Sequence, residues 1–468
     1  MYHIKILLIT PDSLPESPFY IKTPVPPIGL MYLAAIVEKE GHNVKIIDNF
    51  LEKNTQIKLS KRILAFNPDI VGISVACTNY FEALKIANLT KNLTDALVIL
   101  GGPHATIRAK KFIQYPDIDV VVLGEGEYTL LEIIQRFENH KSLEGCNGCY
   151  CKIDGKIIYN ALRGRIEDLD ILPLPARHLV RYKYYPRTYS FKKIKRPTDT
   201  VSTSRGCPFN CNFCSTRELW GKNYKYRSAK NVVDEIETLI RNYGTKGIYF
   251  REDNFTLNKK RIIDICDELL KRNIKIEWEC SSRVDLIDKK LLKKMHEAGC
   301  KFIWFGIESG SLNTLKKLDK GITIEKSREA IKMTREAGIE PGGSFMIGIP
   351  GETKQDVLQT YNFIKELALT RTSLAHFLGI PDCKLYREIV KNHWYEAAYG
   401  EMLYVKLPNL SKEFLNEISR RVKIELPIII NKRTPKKISY FLEKFKRSLN
   451  NPKSSIKNYI NYKIFKKY

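Results

Sequence analysis

T-V-S-T-S-R-G-C-P-F-N-C-N-F-C, residues 200–214, is the stretch on which the reading of this chain turns. Residues 200–204 have the β-branched, hydroxyl-rich character of a strand. They lead directly into Cys207, Cys211 and Cys214, three thiols within eight residues. That spacing can gather three sulfurs on one loop around a single metal centre. An iron–sulfur cluster normally takes four Cys thiolates, and three leave one iron open to a substrate, so the loop reads as catalytic rather than structural. A zinc loop can have similar spacing, and the loop alone does not decide between them.

Downstream, apolar runs alternate with amphipathic stretches. Strands are predicted at 200–204, 247–250, 275–280, 302–306, 343–348 and 374–379, and helices at 229–243, 259–272, 289–298, 324–337, 354–368 and 384–392. Six such units predict a partial parallel barrel with reactive groups at the carboxyl ends of its strands. Polar residues fall where that geometry asks for them: Cys207 after the first strand, Asp253 the second, Arg283 the third, Glu308 the fourth, and Gly348 with Pro350-Gly351 the fifth.

Upstream, strands are predicted at 4–10, 43–48, 69–75, 96–100 and 118–123, with helices at 28–40, 55–66, 80–92, 106–114 and 127–138. This α/β alternation predicts a doubly wound parallel sheet whose ligands sit beyond the strands' carboxyl ends. The loops there hold Ser74 and Thr78, then Gly101, Gly102, Pro103 and His104, then Gly124, Glu125, Gly126 and Glu127. None is a G-x-G-x-x-G fingerprint, so dinucleotide binding is not supported. Read on its own, His104 is a hydrogen-bonding turn residue rather than a metal ligand.

Between the two halves lie Cys146, Cys149 and Cys151, an Asp154-Gly155 hairpin turn and the Pro-rich stretch 169–176. Alternating hairpin residues are expected on opposite faces, so these cysteines read as small packed residues and not as a second metal site. The expected division is 1–145, a sheet domain; 146–197, a linker; 198–392, the barrel; and 393–468, a helical C-terminal region with a basic tail. Within the last, 410–418 reads as a helix capped by Ser411 that covers the barrel mouth.

With 468 residues, 43% of them hydrophobic, the chain suits two or three packed domains. Residues 1–10 read as an opening strand rather than a leader, which makes a reducing cytoplasm the expected compartment for eleven cysteines. Of the net charge of +26, +11 falls in 432–468, which has twelve Lys or Arg and one acid. There, 438–449 and 456–465 mix aromatic, aliphatic and Lys residues at helical spacing. Peripheral contact with an anionic membrane surface is one expectation for them; a solvated basic helix is the other. No zinc finger, helix-turn-helix or RNP-like motif supports a nucleic-acid partner.

At these residues the chain resembles the radical S-adenosylmethionine superfamily. C-x-x-x-C-x-x-C is the superfamily hallmark, and F-R-E-D-N-F at 250–255, S-S-R at 281–283, G-I-E-S-G at 306–310 and G-I-P-G-E-T at 348–353 look like its later strand-end motifs. P-P-I-G-L at 26–30, G-G-P-H-A-T at 101–106 and G-E-G-E at 124–127 look like the cobalamin-binding subfamily. The resemblance implies a 4Fe-4S cluster on Cys207, Cys211 and Cys214, with S-adenosylmethionine on its open iron. It further implies Phe213 near the adenine, Asp253 and Arg283 at the methionine end, Glu308 at the ribose, and Gly348 among the cofactor contacts. Cobalamin would meet Ser74, Thr78, Gly101, Gly102, Pro103, His104, Gly124, Glu125, Gly126 and Glu127. With no D-x-H-x-x-G, it would bind without a protein His ligand. A second departure is P-D-C-K-L-Y at 381–386, where related chains often read P-G-T-x-L-Y.

The implied chemistry is reductive cleavage of S-adenosylmethionine, fed by an electron donor. Methylation of an unactivated carbon of a small-molecule or lipid-like substrate is preferred. Radical cyclisation or rearrangement, as in the anaerobic cyclase of the chlorophyll pathway, is the alternative. A methylthiotransferase would carry three further cysteines in its first domain, where 1–145 has only Cys77. A non-catalytic cobalamin carrier would leave the three loop cysteines idle.

Overall fold

The computed structural model describes residues 3–13, 23–188 and 194–433. Its first sheet contains β1 (Lys5–Thr10), β2 (Asn43–Asp48), β3 (Ile70–Ser74), β4 (Leu97–Gly101), β5 (Val120–Val122), β6 (Cys149–Ile153) and β7 (Lys156–Tyr159), in the order β2-β1-β3-β4-β5-β6-β7. The first five are parallel, with Leu8 opposite both Ile46 and Gly72. Their apolar runs are nearly continuous because helices cover both faces. The order reverses between β1 and β3, so the loops after β1, β3, β4 and β5 share one edge.

The hairpin at Asp154-Gly155 forms as expected, but it joins this sheet, with β6 antiparallel to β5, rather than standing apart as a linker. Its cysteines also differ from expectation. Cys149 and Cys151 are two residues apart on β6, and a period of two puts them on the same face. Both are fully buried with Cys146; Cys149 Sγ reaches the Cys146 carbonyl at 3.3 Å, and Asn160 Nδ2 donates to both strand sulfurs at 3.7 Å.

The second sheet is wholly parallel. β8 (Thr198–Val201) runs into a two-residue ladder of β9 (Ser204–Arg205) with β10 (Lys225–Tyr226), and this ladder closes the cysteine loop at its base. β11 (Gly247–Phe250), β12 (Glu277–Ser282), β13 (Cys300–Glu308), β14 (Glu340–Ile347) and β15 (Thr372–His376) follow β8 in strict succession, the open barrel expected of six strand-helix units. Phe250 stacks on Phe255 at 4.4 Å between ring centres, and Trp278 packs edge-on against Phe250 while donating to the Ala298 carbonyl. Helix starts are capped from the sequence: Ser228, Thr323 and a Thr353–Asp356 capping box each hold the first turn that follows.

After the barrel, β16 (Leu378–Gly379) falls inside the stretch 374–379 expected as the last barrel strand, whereas β17 (Tyr395–Tyr399) and β18 (Met402–Val405) open the region expected to be helical; the three form an antiparallel sheet in the order β16-β18-β17. The helix Lys412–Arg433 then packs on the barrel helix Lys354–Leu367, with Ser411 accepting from Phe414 N as its cap. No helix among the described residues is long and apolar enough to cross a membrane. The segments 438–449 and 456–465 lie outside the described residues.

Candidate active site

The anchors of the cysteine loop are backbone groups and the side chains of Asn212, Glu252 and Arg261, none of them a thiol. Gly206 takes φ +88°, and a Cβ there would collide with the Asn223 carbonyl. Glu252, in the loop after β11, accepts from Thr203 N at 2.9 Å and from the Thr203 and Ser204 hydroxyls. Arg261 in turn donates to the Thr203 carbonyl at 3.1 Å. Further along, Asn212 N and Nδ2 donate to the carbonyls of Leu318 and Lys317, and Leu385 N donates to the Asn212 carbonyl at 3.0 Å.

Cys207, Cys211 and Cys214 are free thiols, partly exposed, on this anchored loop. Arg283, from the end of β12, lies 3.7 Å over the Phe209 ring, donates to the Lys320 carbonyl at 2.6 Å and sits 3.9 Å from Cys211 Sγ. Lys320 is buried, 3.0 Å from Glu308 and 5.5 Å over the Phe213 ring. Burial pushes the Cys211 thiol up; the Lys320 and Arg283 charges oppose it. Asp253 lies 3.4 Å from the Thr216 hydroxyl, which also contacts Cys214, and burial raises its carboxyl. Glu308 holds φ +67°, a conformation that a side chain rarely takes. Cys207, Cys211, Cys214, Phe213, Asp253, Arg283 and Glu308 are thus brought together at one end of the barrel.

Gly348 donates its N–H to Glu352 at 2.8 Å, beside Ile349 N at 3.1 Å. Glu352 is 5% exposed, and burial pushes its carboxyl from 4.5 to about 7 against those two hydrogen bonds. The folded chain then holds this proton more tightly than the unfolded chain. The associated stability is full below pH 4.5 and falls as the pH rises to about 7. Thermal unfolding across that window should therefore slope downward, and Glu352→Gln should remove that part of the slope.

Sequence reasoning missed Lys320, Glu252, Arg261 and Glu352. Glu252 and Glu352 stand inside quoted motifs, so their position was a usable signal. Lys320 sits in the unremarkable run K-L-D-K-G at 317–321 and gave none.

The loops of the first sheet meet this end of the barrel. Gly102 has φ +96°, and a Cβ there would press on the Val75 backbone at 3.0 Å. Thr106 Oγ1 accepts from Gly124 N at 3.0 Å, tying the loops after β4 and β5 together, and Thr78 accepts from Ser13 at 3.4 Å. The helix Pro103–Ile107 packs against Thr216–Trp220, the helix that follows Cys214. His104 is buried between Tyr80 and Phe112, and burial lowers its pKa to about 4, which keeps the imidazole neutral. Glu125 and Glu127, expected at the cofactor, are engaged instead by Arg205, at 2.7 and 2.6 Å, immediately before the cysteine loop.

Three free, partly exposed thiols on one loop suit a cubane, which takes its thiolates on separate irons. Beside Asp253, Asn254 is 2% exposed with neither end of its amide partnered, a buried polar group that requires one. On the other side, glycine-bearing loops at two neighbouring strand ends, after β4 and β5, leave room for a large planar cofactor to approach the backbone closely.

The sequence matches the radical SAM superfamily over residues 201–364 and the B12 binding domain over 20–134. It is 37% identical to an uncharacterized methyltransferase, PH0819, of Pyrococcus horikoshii over 90% of this chain and 92% of that one. It is 28% identical to the anaerobic magnesium-protoporphyrin IX monomethyl ester cyclase of Rubrivivax gelatinosus over 78% of this chain and 66% of that one. In fold it resembles TsrM of Kitasatospora setae with cobalamin and a [4Fe-4S] cluster bound, with TM-score 0.71 and 20% identity over 84% of this chain and 78% of that one. The two family matches give the cofactors as a 4Fe-4S cluster, S-adenosylmethionine and cobalamin, and with the methyltransferase relative they show that the chain belongs to the cobalamin-binding radical S-adenosylmethionine enzyme family.

Proposed function

We propose that this enzyme transfers a methyl group to an unactivated carbon of a small-molecule substrate at the seam between the two sheets. The observation that carries the reading is the apposition itself: the loop of Gly101, Gly102, Pro103 and His104 leads into a helix packed on the one that follows Cys214. In this reading Cys207, Cys211 and Cys214 hold the cluster, and Phe213, Asp253, Arg283, Glu308 and Gly348 surround S-adenosylmethionine. Cobalamin lies along Ser74, Thr78, the backbone of 101–104 and that of 124–127. When bound, the cluster supplies an electron, S-adenosylmethionine the means of hydrogen abstraction, and cobalamin the methyl group.

The chain's own work is charge balance and enclosure. Arg283 and Lys320 offset the negative charge of the thiolates beside them, and Lys320 holds the Glu308 side chain in place at 3.0 Å. The Arg205 pairs with Glu125 and Glu127 hold the first sheet against the cysteine loop. The methyltransferase relative supports methylation, while the cyclase relative keeps ring closure as the second reading.

Incubation of the reconstituted enzyme with S-adenosylmethionine bearing a deuterated methyl group and a cell extract should place that group on an extract metabolite. Label confined to S-adenosylmethionine and its breakdown products, with a metabolite that loses hydrogen, would favour ring closure. A lipid-like substrate delivered at a membrane is the finer reading. It predicts that the protein sediments with anionic vesicles, and unchanged partitioning would set it aside.

A further inference from the structure

Residues 381–386 read P-D-C-K-L-Y, and the two residues after the proline both serve the backbone. Asp382 takes φ +67°, the left-handed conformation that glycine adopts freely. Cys383 caps the helix Lys384–Lys391, its sulfur accepting from Tyr386 N at 3.3 Å as a Thr hydroxyl would. A glycine would hold the turn at 382 without strain, so the carboxylate there calls for a use outside the turn.

That use is Arg108. Its Nη1 lies 2.8 Å from Asp382 Oδ2, and its Nε lies 2.5 Å from Glu401 Oε2 at the tip of the β17–β18 hairpin. Glu401 also takes Lys111 at 2.7 Å. These carboxylates come from the segments after the barrel, whereas the cations belong to the first sheet, directly after the helix Pro103–Ile107. Three residues beyond Asp382, Leu385 N donates to the Asn212 carbonyl, between Cys211 and Cys214. The short segment 382–385 therefore grips Arg108 at one end and the cysteine loop at the other. Arg108 and its two acids are 21%, 25% and 14% exposed, sheltered enough to hold a geometry yet wet enough to respond to salt.

We propose that Asp382 is a positioning residue which, with Glu401, sets the distance between the loop of residues 101–104 and the cysteine loop by holding Arg108. The inference rests on the placement of cobalamin and cluster given above.

The test uses the full-length holoenzyme in two variants. Asp382→Gly keeps the turn without strain, and Asp382→Asn tolerates the same φ while removing the charge. Iron content should match wild type in both. The dissociation constant for cob(II)alamin should rise by up to about fivefold, the worth of a partly exposed ion pair. The magnetic interaction between cob(II)alamin and the reduced cluster, read by electron paramagnetic resonance, should weaken or broaden relative to wild type. Normal cofactor uptake with that signal and the dissociation constant unchanged in both variants overturns the role of Asp382 alone. A wild-type protein that takes up no cobalamin overturns the cofactor placement and this inference with it.

Discussion

Replacing Cys207, Cys211 and Cys214 together with Ala should abolish the iron content and cluster spectrum of the reconstituted protein. Reductive cleavage of S-adenosylmethionine should fall by more than about a thousandfold, to background. The fold should survive, because the loop's anchors are Gly206, Asn212, the Leu385 amide and the Glu252 contacts to Thr203 and Ser204, and none of these uses a thiol. The lost sulfur contacts are the weak ones of Cys211 with Arg283 and Cys214 with Thr216. An unchanged circular dichroism melt alongside lost iron would separate a ligand role from a packing role. Retained cleavage would refute the cluster assignment outright.

Glu235→Ala should be the most destabilising single change at the junction of the two halves, by about 3–5 kcal/mol. Glu235 is 2% exposed on the helix Ala229–Tyr243, and it accepts from Arg177 at 2.7 Å and Arg227 at 2.5 Å. Arg177 continues to the Tyr182 hydroxyl and the Thr200 carbonyl, and Arg227 to Tyr32 in the first sheet domain and the Ser202 carbonyl. Burial alone would raise the Glu235 carboxyl; the two guanidiniums overcome that and hold it below its usual value. Its stabilising share is therefore present above pH 4.5 and lost on acidification. Truncation strands two buried cations, which costs far more than the pair gains in place. The urea midpoint at neutral pH, compared between wild type and variant, reads the effect. A loss below about 1 kcal/mol would mean that water reaches the guanidiniums.

The strands of both sheets were legible because a sheet covered on both faces writes itself as unbroken apolar runs, as at Ile6 to Ile9 and Val98 to Leu100. The cysteine loop and four later strand-end motifs were legible for a different reason, their fixed places after successive strands. What was hidden depends on pairing distant in sequence. Asp154-Gly155 announced a hairpin, but nothing local said that β6 would extend the first sheet. Arg205 stands about eighty residues from Glu125 and Glu127, and a basic residue before a glycine gives no hint of two acidic partners. Lys320 folds back onto Glu308 and Phe213 only because the helix Leu312–Lys317 turns the chain over the barrel end. The P-D-C departure proved compatible with the local turn, since φ +67° admits an Asp and a cysteine sulfur can cap a helix.

Simultaneous use of all three cofactors for methylation is tested most directly by counting nucleoside products. Anaerobically reconstituted enzyme, with iron, sulfide, cobalamin, a low-potential reductant, S-adenosylmethionine and a cell extract, should form 5'-deoxyadenosine and S-adenosylhomocysteine in step, and only when the extract is present. One equivalent of S-adenosylmethionine is then consumed for hydrogen abstraction and one for each methyl group delivered. Extract-dependent 5'-deoxyadenosine without S-adenosylhomocysteine would contradict methyl transfer and point to ring closure or rearrangement.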